Sequence, residues 1–365
     1  MHVMIQVTER AARAARVGAL LMEGLTGNLV RGLRVGVFLA MNMTERPSGD
    51  RNRRLRESRL RTRTGTQYDL YAPVGAAIRT VIAISGLTLK GGRERRLVNF
   101  CRALAESGVR VAAPDLPALK TYRFDESDLH IVIDLIRELH EQDGSAIGLI
   151  GFSVGGGLAL VAAAEKEARN AVDLVVVFGA HYDLEPVWRA LVRKHQGQPP
   201  TDDLDWEDYI WLRMIMAYRR LSSLGMRDAE REEMIDLLAS YCGLPITRKK
   251  EFFERVMRPR RELSELAGFE DAALPARLSP RGLLKNLKAA VMIIHDPHDL
   301  LVPADQARRL YEELKSRGPE ARQRLLITPL LSHVDARATR RLMDVFPLLG
   351  MMRELFLRQE GGKDD

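Results

Sequence analysis

The stretch AIGLIGFSVGGGLAL, Ala146 to Leu160, decides how the rest of the chain is read. Ala146 to Ile150 is an apolar run of strand length that breaks at Gly151. Ser153 follows between Gly151 and Gly155, and small residues with helical character continue to about Glu165. A serine on so tight a strand-to-helix turn must adopt a strained backbone, with its hydroxyl projecting above the sheet. Side chains two positions either side would collide there, and Gly151 and Gly155 remove them. Gly156 and Gly157 each cost a helix about 1 kcal/mol relative to alanine. Close packing of that helix on the sheet accounts for them. The bland alternative is a glycine-rich turn of any α/β protein, so the surrounding chain has to decide.

The 365 residues suffice for one large α/β domain with an insertion, or for two domains, and at 46% hydrophobic they supply a full core. Two cysteines, Cys101 and Cys242, exclude a disulfide framework, suit a reducing, cytoplasmic compartment and lack metal-ligand spacing. The net charge of +7 is concentrated at one end. Residues 1 to 64 hold thirteen arginines, no lysine and five acids, so the remaining chain is close to neutral. The basic balance therefore belongs to an N-terminal arm, and nucleic acid is not an expected partner.

Thr8 to Met43 places leucines at helical spacing among Arg13, Arg16, Arg31 and Arg34, which predicts an amphipathic helix or helix pair. Its longest uncharged run, Val35 to Thr44, is far short of the ~20 residues a membrane span needs. No signal-peptide layout is expected. Such a helix could pack on the catalytic domain, on a second copy in a homo-oligomer, or peripherally on an anionic membrane surface. Arg46 to Arg63 reads as a basic linker, and Arg59 to Tyr71 as a hairpin turning at Gly65.

From Thr80 onward, short apolar runs alternate with amphipathic helices. Strands are expected at Thr80–Ser85, Val109–Ala113, Ala146–Ile150, Leu174–Phe178, Ala290–Ile294 and Arg324–Thr328. Helices are expected at Glu94–Ser107, at Ser127–Glu141 with Ser127 as N-cap, at Pro303–Arg317 and at Thr339–Leu357. This pattern predicts a mostly parallel central sheet with helices on both faces. His181 to Lys285 interrupts it with mainly helical sequence holding all three tryptophans, Trp188, Trp206 and Trp211. A helical cap inserted after the sixth strand is expected there, with those tryptophans as candidate substrate-binding residues. The expected division is 1–58 as N-terminal helical arm and linker, 59–180 with 286–365 as the α/β core, and 181–285 as the cap.

A serine hydroxyl becomes a nucleophile when a base takes its proton and a carboxylate fixes that base. The chain offers Ser153, Asp299 and His333 in that order, with Asp299 and His333 each in a loop following a predicted strand. Asp183, just after the LVVVF strand, is a second candidate acid. Asp296 reads as a turn residue.

On these residues the segment from about Thr80 to Phe356, the cap apart, resembles the α/β-hydrolase superfamily, in particular its serine esterase and lipase-like members. Gly151-Phe152-Ser153-Val154-Gly155 is similar to that family's nucleophile elbow. His295 through Pro303 is similar to its H-G-x-x-D-x-x-V-P segment, and Ser332-His333 to its histidine loop. The chain departs from the pattern with Asp296 in place of glycine and Ser85 where the family has histidine before Gly86.

The resemblance implies a carboxylesterase-like hydrolase with Ser153, Asp299 and His333 as its catalytic triad. It implies an oxyanion hole from the backbone N–H groups of Leu87 and Val154, and a small-molecule or lipid-like ester substrate. Acyl transfer by the same triad and a non-catalytic scaffold on a retained hydrolase fold are the alternatives. Serine at the elbow sets the chain apart from relatives that use aspartate there. No dinucleotide turn, other cofactor motif or metal-ligand set is present in the sequence.

Overall fold

In the computed structural model the described residues are 55–194, 206, 209, 210, 212, 213, 215, 216, 236, 246–257, 276–318, 321–332, 335, 336, 345–352 and 355. The arginine-rich helix expected over Thr8 to Met43 lies outside them, as do His333 and Trp211.

Eight strands form one sheet: β1 (Leu55–Arg61), β2 (Gln67–Pro73), β3 (Arg79–Ile84), β4 (Val109–Pro114), β5 (Ile147–Phe152), β6 (Val172–Phe178), β7 (Ala290–His295) and β8 (Gln323–Ile327). Their order across the sheet is β1-β2-β4-β3-β5-β6-β7-β8. β1 pairs antiparallel with β2 and β2 with β4, and every later pairing is parallel. The described α-helices are α1 (Arg95–Glu106), α2 (Pro117–Lys120), α3 (Glu126–Asp143), α4 (Val154–Ala164), α5 (Leu184–Lys194), α6 (Ile246–Phe252), α7 (Ala304–Lys315) and α8 (Val345–Met352), besides short 3-10 and π-helical turns and two two-residue strands.

The central strands are apolar throughout because both faces of the sheet are covered. Alternate residues of β3 enter opposite cores: Ile82 and Ile84 join α3, α4 and α7 on one face, while Val81 and Ala83 join α1 and α8 on the other. Each such buried aliphatic side chain contributes about 1.5–3 kcal/mol. β1 is the contrary case. It forms the sheet edge, and of its seven residues only Leu55 is buried. This strand begins four residues before the expected hairpin, inside the stretch read as linker, because an exposed edge strand tolerates arginine at every outward position.

Two helix starts differ from expectation. α3 is capped by Asp125, whose carboxylate accepts the Ser127 N–H at 2.8 Å, so Ser127 lies within the first turn rather than at the cap. α1 begins after Glu94, whose side chain accepts from the Arg96 and Leu97 N–H groups. Between β6 and β7 the described elements are helical, including α5 and α6. Trp206, Tyr209 and Phe253 meet edge-on there, with ring centroids 5.4–5.8 Å apart. Among the described residues no helix is long and apolar enough to cross a membrane.

Candidate active site

Ser153 occupies the single residue between β5 and α4 with φ 53° and ψ −124°, one of two non-glycine residues at positive φ among those described. An L-residue pays about 1–3 kcal/mol for such a conformation, which persists only where its surroundings over-determine it. Here they do. The Ser153 N–H donates to the Phe178 carbonyl at the end of β6 (2.7 Å), and its own carbonyl accepts the Gly156 N–H (2.9 Å). The neighbouring Phe152 ring stacks on Phe178 at 5.0 Å and meets Phe100 edge-on at 5.3 Å.

The glycines leave no space for a side chain. A Cβ on Gly151 would lie 2.4 Å from the Gly155 carbonyl oxygen, and one on Gly155 only 2.2 Å from that of Ser85. A Cβ on Gly156 would meet Ala180 Cβ at 2.8 Å, as expected for a helix pressed onto the sheet. Gly157 has a different cause: its missing side chain makes room for the His181 ring, 2.1 Å from the would-be Cβ.

Several loops at the carboxyl ends of the strands enclose a cavity of about 30 Å³ beside Ser153. Leu87 enters from the loop after β3, Val154 from the turn after β5, His181 from the end of β6, and Leu301 and Val302 from the loop after β7. Phe124 and one face of α5, Trp188 included, close the rest. Gly86 lies against the serine, since a Cβ there would be 3.1 Å from Ser153 Cβ and 3.7 Å from its Oγ. Leu87 and Val154, the expected oxyanion pair, thus both border the cavity that contains Ser153. The Ser85 hydroxyl is buried and has no hydrogen-bond partner among the described residues.

The loop after β7 is held by hydrogen bonds rather than by glycine. Asp299 Oδ1 accepts from the backbone N–H groups of Leu301 (3.0 Å) and Val302 (2.8 Å). Its Oδ2 lies 3.3 Å from His295 Nε2, which also faces the Val302 carbonyl oxygen at 2.7 Å. Two acceptors on one ring nitrogen place the His295 proton on Nε2. Asp296 closes the turn by accepting the His298 N–H at 3.0 Å, so it has the turn role expected of it. Asp183, the second candidate acid, is paired with Arg281 at 2.9 Å.

Of the three tryptophans, Trp188 lines the cavity and meets Phe124 edge-on at 5.3 Å. Trp206 instead packs with Tyr209 and Phe253 and contributes nothing to the cavity lining. Its apolar bulk is satisfied within that aromatic cluster. The two-residue strands Leu331–Ser332 and Asp335–Ala336 pair antiparallel on either side of the His333 position. No group of three or more His, Cys, Asp or Glu side chains suited to a metal ion occurs among the described residues.

His181 was missed by sequence reading. It is 1% exposed, and its Nε2 contacts the Leu278 carbonyl oxygen at 3.0 Å. Burial pushes its pKa down from 6.5 to about 4, only partly offset by that hydrogen bond and by Asp183. The ring is therefore neutral near pH 7. Its flanking sequence, Ala180-His181-Tyr182, carries no motif, so only the cavity reveals it.

Comparison with curated proteins found no match. Among solved structures, the chain is similar to a hormone-sensitive lipase from a metagenome library, at TM-score 0.52 and 15% identity, covering 90% of this chain and 92% of that one. It is also similar to carboxyl esterase 2 of the mycorrhizal fungus Tuber melanosporum, at TM-score 0.49 and 14% identity, covering 86% and 89%. A third similarity is to the acylaminoacyl peptidase of Pyrococcus horikoshii, at TM-score 0.49 and 13% identity, where 86% of this chain spans 44% of the peptidase. The Alpha/beta hydrolase family matches residues 81–340, from the third strand to beyond the expected histidine loop. With well over half of its length inside that match, the chain belongs to the alpha/beta hydrolase family.

Proposed function

We propose that the protein is a serine hydrolase that cleaves carboxylic esters with an apolar portion through an acyl-enzyme. The observation that carries this reading is the strained Ser153 at the wall of a largely apolar cavity, flanked there by Leu87 and Val154. Strain of this kind at a cavity wall is a feature of working sites rather than of inert turns.

In this mechanism Ser153 Oγ attacks the ester carbonyl while its proton passes to His333. The negative charge that develops on the carbonyl oxygen is held by the N–H groups of Leu87 and Val154. Loss of one such donor costs about 3–4 kcal/mol of transition-state stabilisation. His333 then protonates the departing alkoxide, which leaves as the alcohol. Water, deprotonated by His333, attacks the acyl-serine; the Oγ–acyl bond breaks, His333 returns the proton to Ser153 Oγ, and the carboxylic acid leaves. Asp299 orients His333 and stabilises its cationic form. The hydrogen bonds that Leu301 and Val302 donate to Oδ1 fix the carboxylate in place, and Oδ2, which already lies 3.3 Å from His295 Nε2, takes the imidazole of His333 as a second partner in this reading. Residues 181–285 act as a cap over the serine, with Trp188 as its contribution to the acyl pocket.

Fluorophosphonate labelling tests the nucleophile without knowledge of the natural substrate. The expected result is one covalent adduct on Ser153, absent from Ser153→Ala, together with turnover of p-nitrophenyl esters that the variant lacks. An unlabelled Ser153, or wild-type and variant protein equally inert across an ester panel, would overturn the proposal.

A further inference from the structure

The cavity beside Ser153 is small, and two of its apolar walls are anchored to the core. Leu184, Val187, Trp188 and Leu191 of α5 all line it, at the i, i+3, i+4, i+7 spacing that puts four side chains on one face of a helix. All four are buried, as is Phe124, whose ring meets that of Trp188 edge-on at 5.3 Å. A water-sized group takes about 10–15 Å³, so a volume of about 30 Å³ has room for two or three such groups.

That size limits a substrate only if the walls cannot retreat, and both are tied down. The Leu184 N–H at the start of α5 donates to Ser279 Oγ at 3.0 Å. The N–H groups of Tyr182 and Asp183, just before it, both donate to Gln306 Oε1 of α7 at 3.0 Å. Ser279 and Gln306 are themselves buried. On the Phe124 side, the buried Asp128 carboxylate of α3 accepts the Ala118 and Leu119 N–H groups at 3.2 and 2.8 Å. The chain then turns through Tyr122 at φ 52°, with the Tyr122 N–H on the Leu119 carbonyl and the Arg123 N–H on that of Ala118. Such a backbone persists only where its neighbours over-determine it, and it delivers Phe124 to the cavity two residues later. Widening the cavity would mean giving up buried hydrogen bonds or overpacking the core behind them.

Resting on the ester-hydrolase reading, we propose that the α5 face and Phe124 form a length stop that restricts the acyl portion of the substrate to acetyl or propanoyl, the bulk of the ester lying in its alcohol. With the carbonyl oxygen at the Leu87 and Val154 N–H groups, the carbonyl carbon and one or two further carbons use up the space. A longer straight chain has to displace a wall.

The test measures kcat/KM for p-nitrophenyl propanoate and p-nitrophenyl hexanoate in wild type, Trp188→Ala and Leu191→Ala. The two esters share a leaving group, so their ratio reads the acyl side alone and is insensitive to the active fraction of a poorly folded variant. The expected wild-type ratio of propanoate to hexanoate is about tenfold or more, the discrimination that a single methylene can bring in an apolar pocket. Trimming Trp188 or Leu191 makes room for the longer chain, and the ratio should fall about threefold or more in at least one variant. A smaller wild-type ratio, or one that neither variant lowers to that extent, would overturn the length stop. The hydrolase reading would survive that result, because both esters would still be cleaved and Ser153 still labelled by fluorophosphonate. Failure of the parent reading looks different: neither ester is turned over and Ser153 takes no label.

Discussion

The turns after β5 and after β7 each present a functional group at the carboxyl end of the sheet, and they do it by opposite means. The β5 turn works by exclusion. Gly151 and Gly155 are so hemmed in by backbone oxygens, 2.4 and 2.2 Å from a would-be Cβ, that Ser153 is forced into its left-handed conformation by lack of room. The β7 turn works by bonding. Asp296 and Asp299 accept backbone N–H groups, and His295 ties the strand end to the Val302 carbonyl. A turn made by exclusion fails when an atom is added, whereas one made by bonds fails when a donor or acceptor is lost.

The largest effect expected from this contrast is catalytic. Asp299→Asn keeps an oxygen for the Leu301 and Val302 N–H groups but turns an amide toward His295 and, in the proposed triad, toward His333, and kcat/KM for p-nitrophenyl esters should fall about 10⁴-fold. Asp183→Asn should change it less than about threefold, because Asp183 is committed to Arg281. The reverse ranking would move the acid to the end of β6.

On the exclusion side, Gly155→Ala places a methyl carbon 2.2 Å from the Ser85 carbonyl oxygen and 2.7 Å from that of Ile84, both backbone atoms with nowhere to retreat. Overpacking of this kind costs about 3 kcal/mol or more. Urea denaturation should show it as a lowered midpoint. Gly65→Ala, at an open hairpin turn with φ 93°, should cost only about 1–2 kcal/mol of backbone strain. If the two substitutions were equal, crowding would not be what holds the elbow.

These two turns also show what the sequence could carry. The sequence signals of the serine turn and of the loop after β7 are short-range, even though Phe178 and Ser85 complete the serine turn from far along the chain. G-x-S-x-G and HDPHDLLVP were therefore readable as written. The central strands were readable for a similar reason, since a strand buried on both faces must be apolar throughout. Val172 and Asp173 were left off the start of β6 because a charge mid-run looks like an end. In the fold, Asp173 pairs with Arg79 of β3, a contact across 94 positions that no local pattern announces. The place of His181 beside the cavity was illegible for the same reason. The significance of His181 depends on Leu278, 97 positions away, and on Gly157, whose missing side chain admits the ring. Trp206 drew attention through its size, yet size is equally well used in an aromatic cluster.

His181 supplies the next prediction, between the two turns in place and in magnitude. Its pKa is about 6.5 in the unfolded chain and about 4 when buried, so the unfolded state binds the proton first as pH falls. Stability is fully present above pH 6.5 and is lost progressively down to about pH 4, by up to about 3 kcal/mol. Asp128 acts in the opposite sense. Burial raises its pKa to about 6 against the Leu119 and Ala118 N–H bonds, so it costs stability as pH rises from about 4 to 6. The two partly cancel in the wild type. His181→Gln should therefore unmask the Asp128 slope, with unfolding free energy falling from pH 4 to 6 where the wild type is nearly flat. Parallel pH profiles for the two proteins would show that His181 titrates as it does in the unfolded chain.

The smallest expected effect asks whether the bonded turn contains one working carboxylate or two. Asp296 and Asp299 are three residues apart and both are buried, so position alone does not say which would be the acid of the proposed triad. Their bonding separates them. Asp296 Oδ1 accepts the His298 N–H, the ordinary task of an aspartate or asparagine opening a turn, and an asparagine oxygen performs it equally well. Asp299 has both backbone donors on Oδ1, which turns its second oxygen away from the loop's own backbone. Asp296→Asn should accordingly shift stability by less than about 1 kcal/mol and leave kcat/KM within about threefold of wild type. A loss of activity comparable to that of Asp299→Asn would mean that the charge at Asp296 is used in the reaction, and the loop would then hold a shared carboxylate pair rather than a single acid with a neighbouring turn residue.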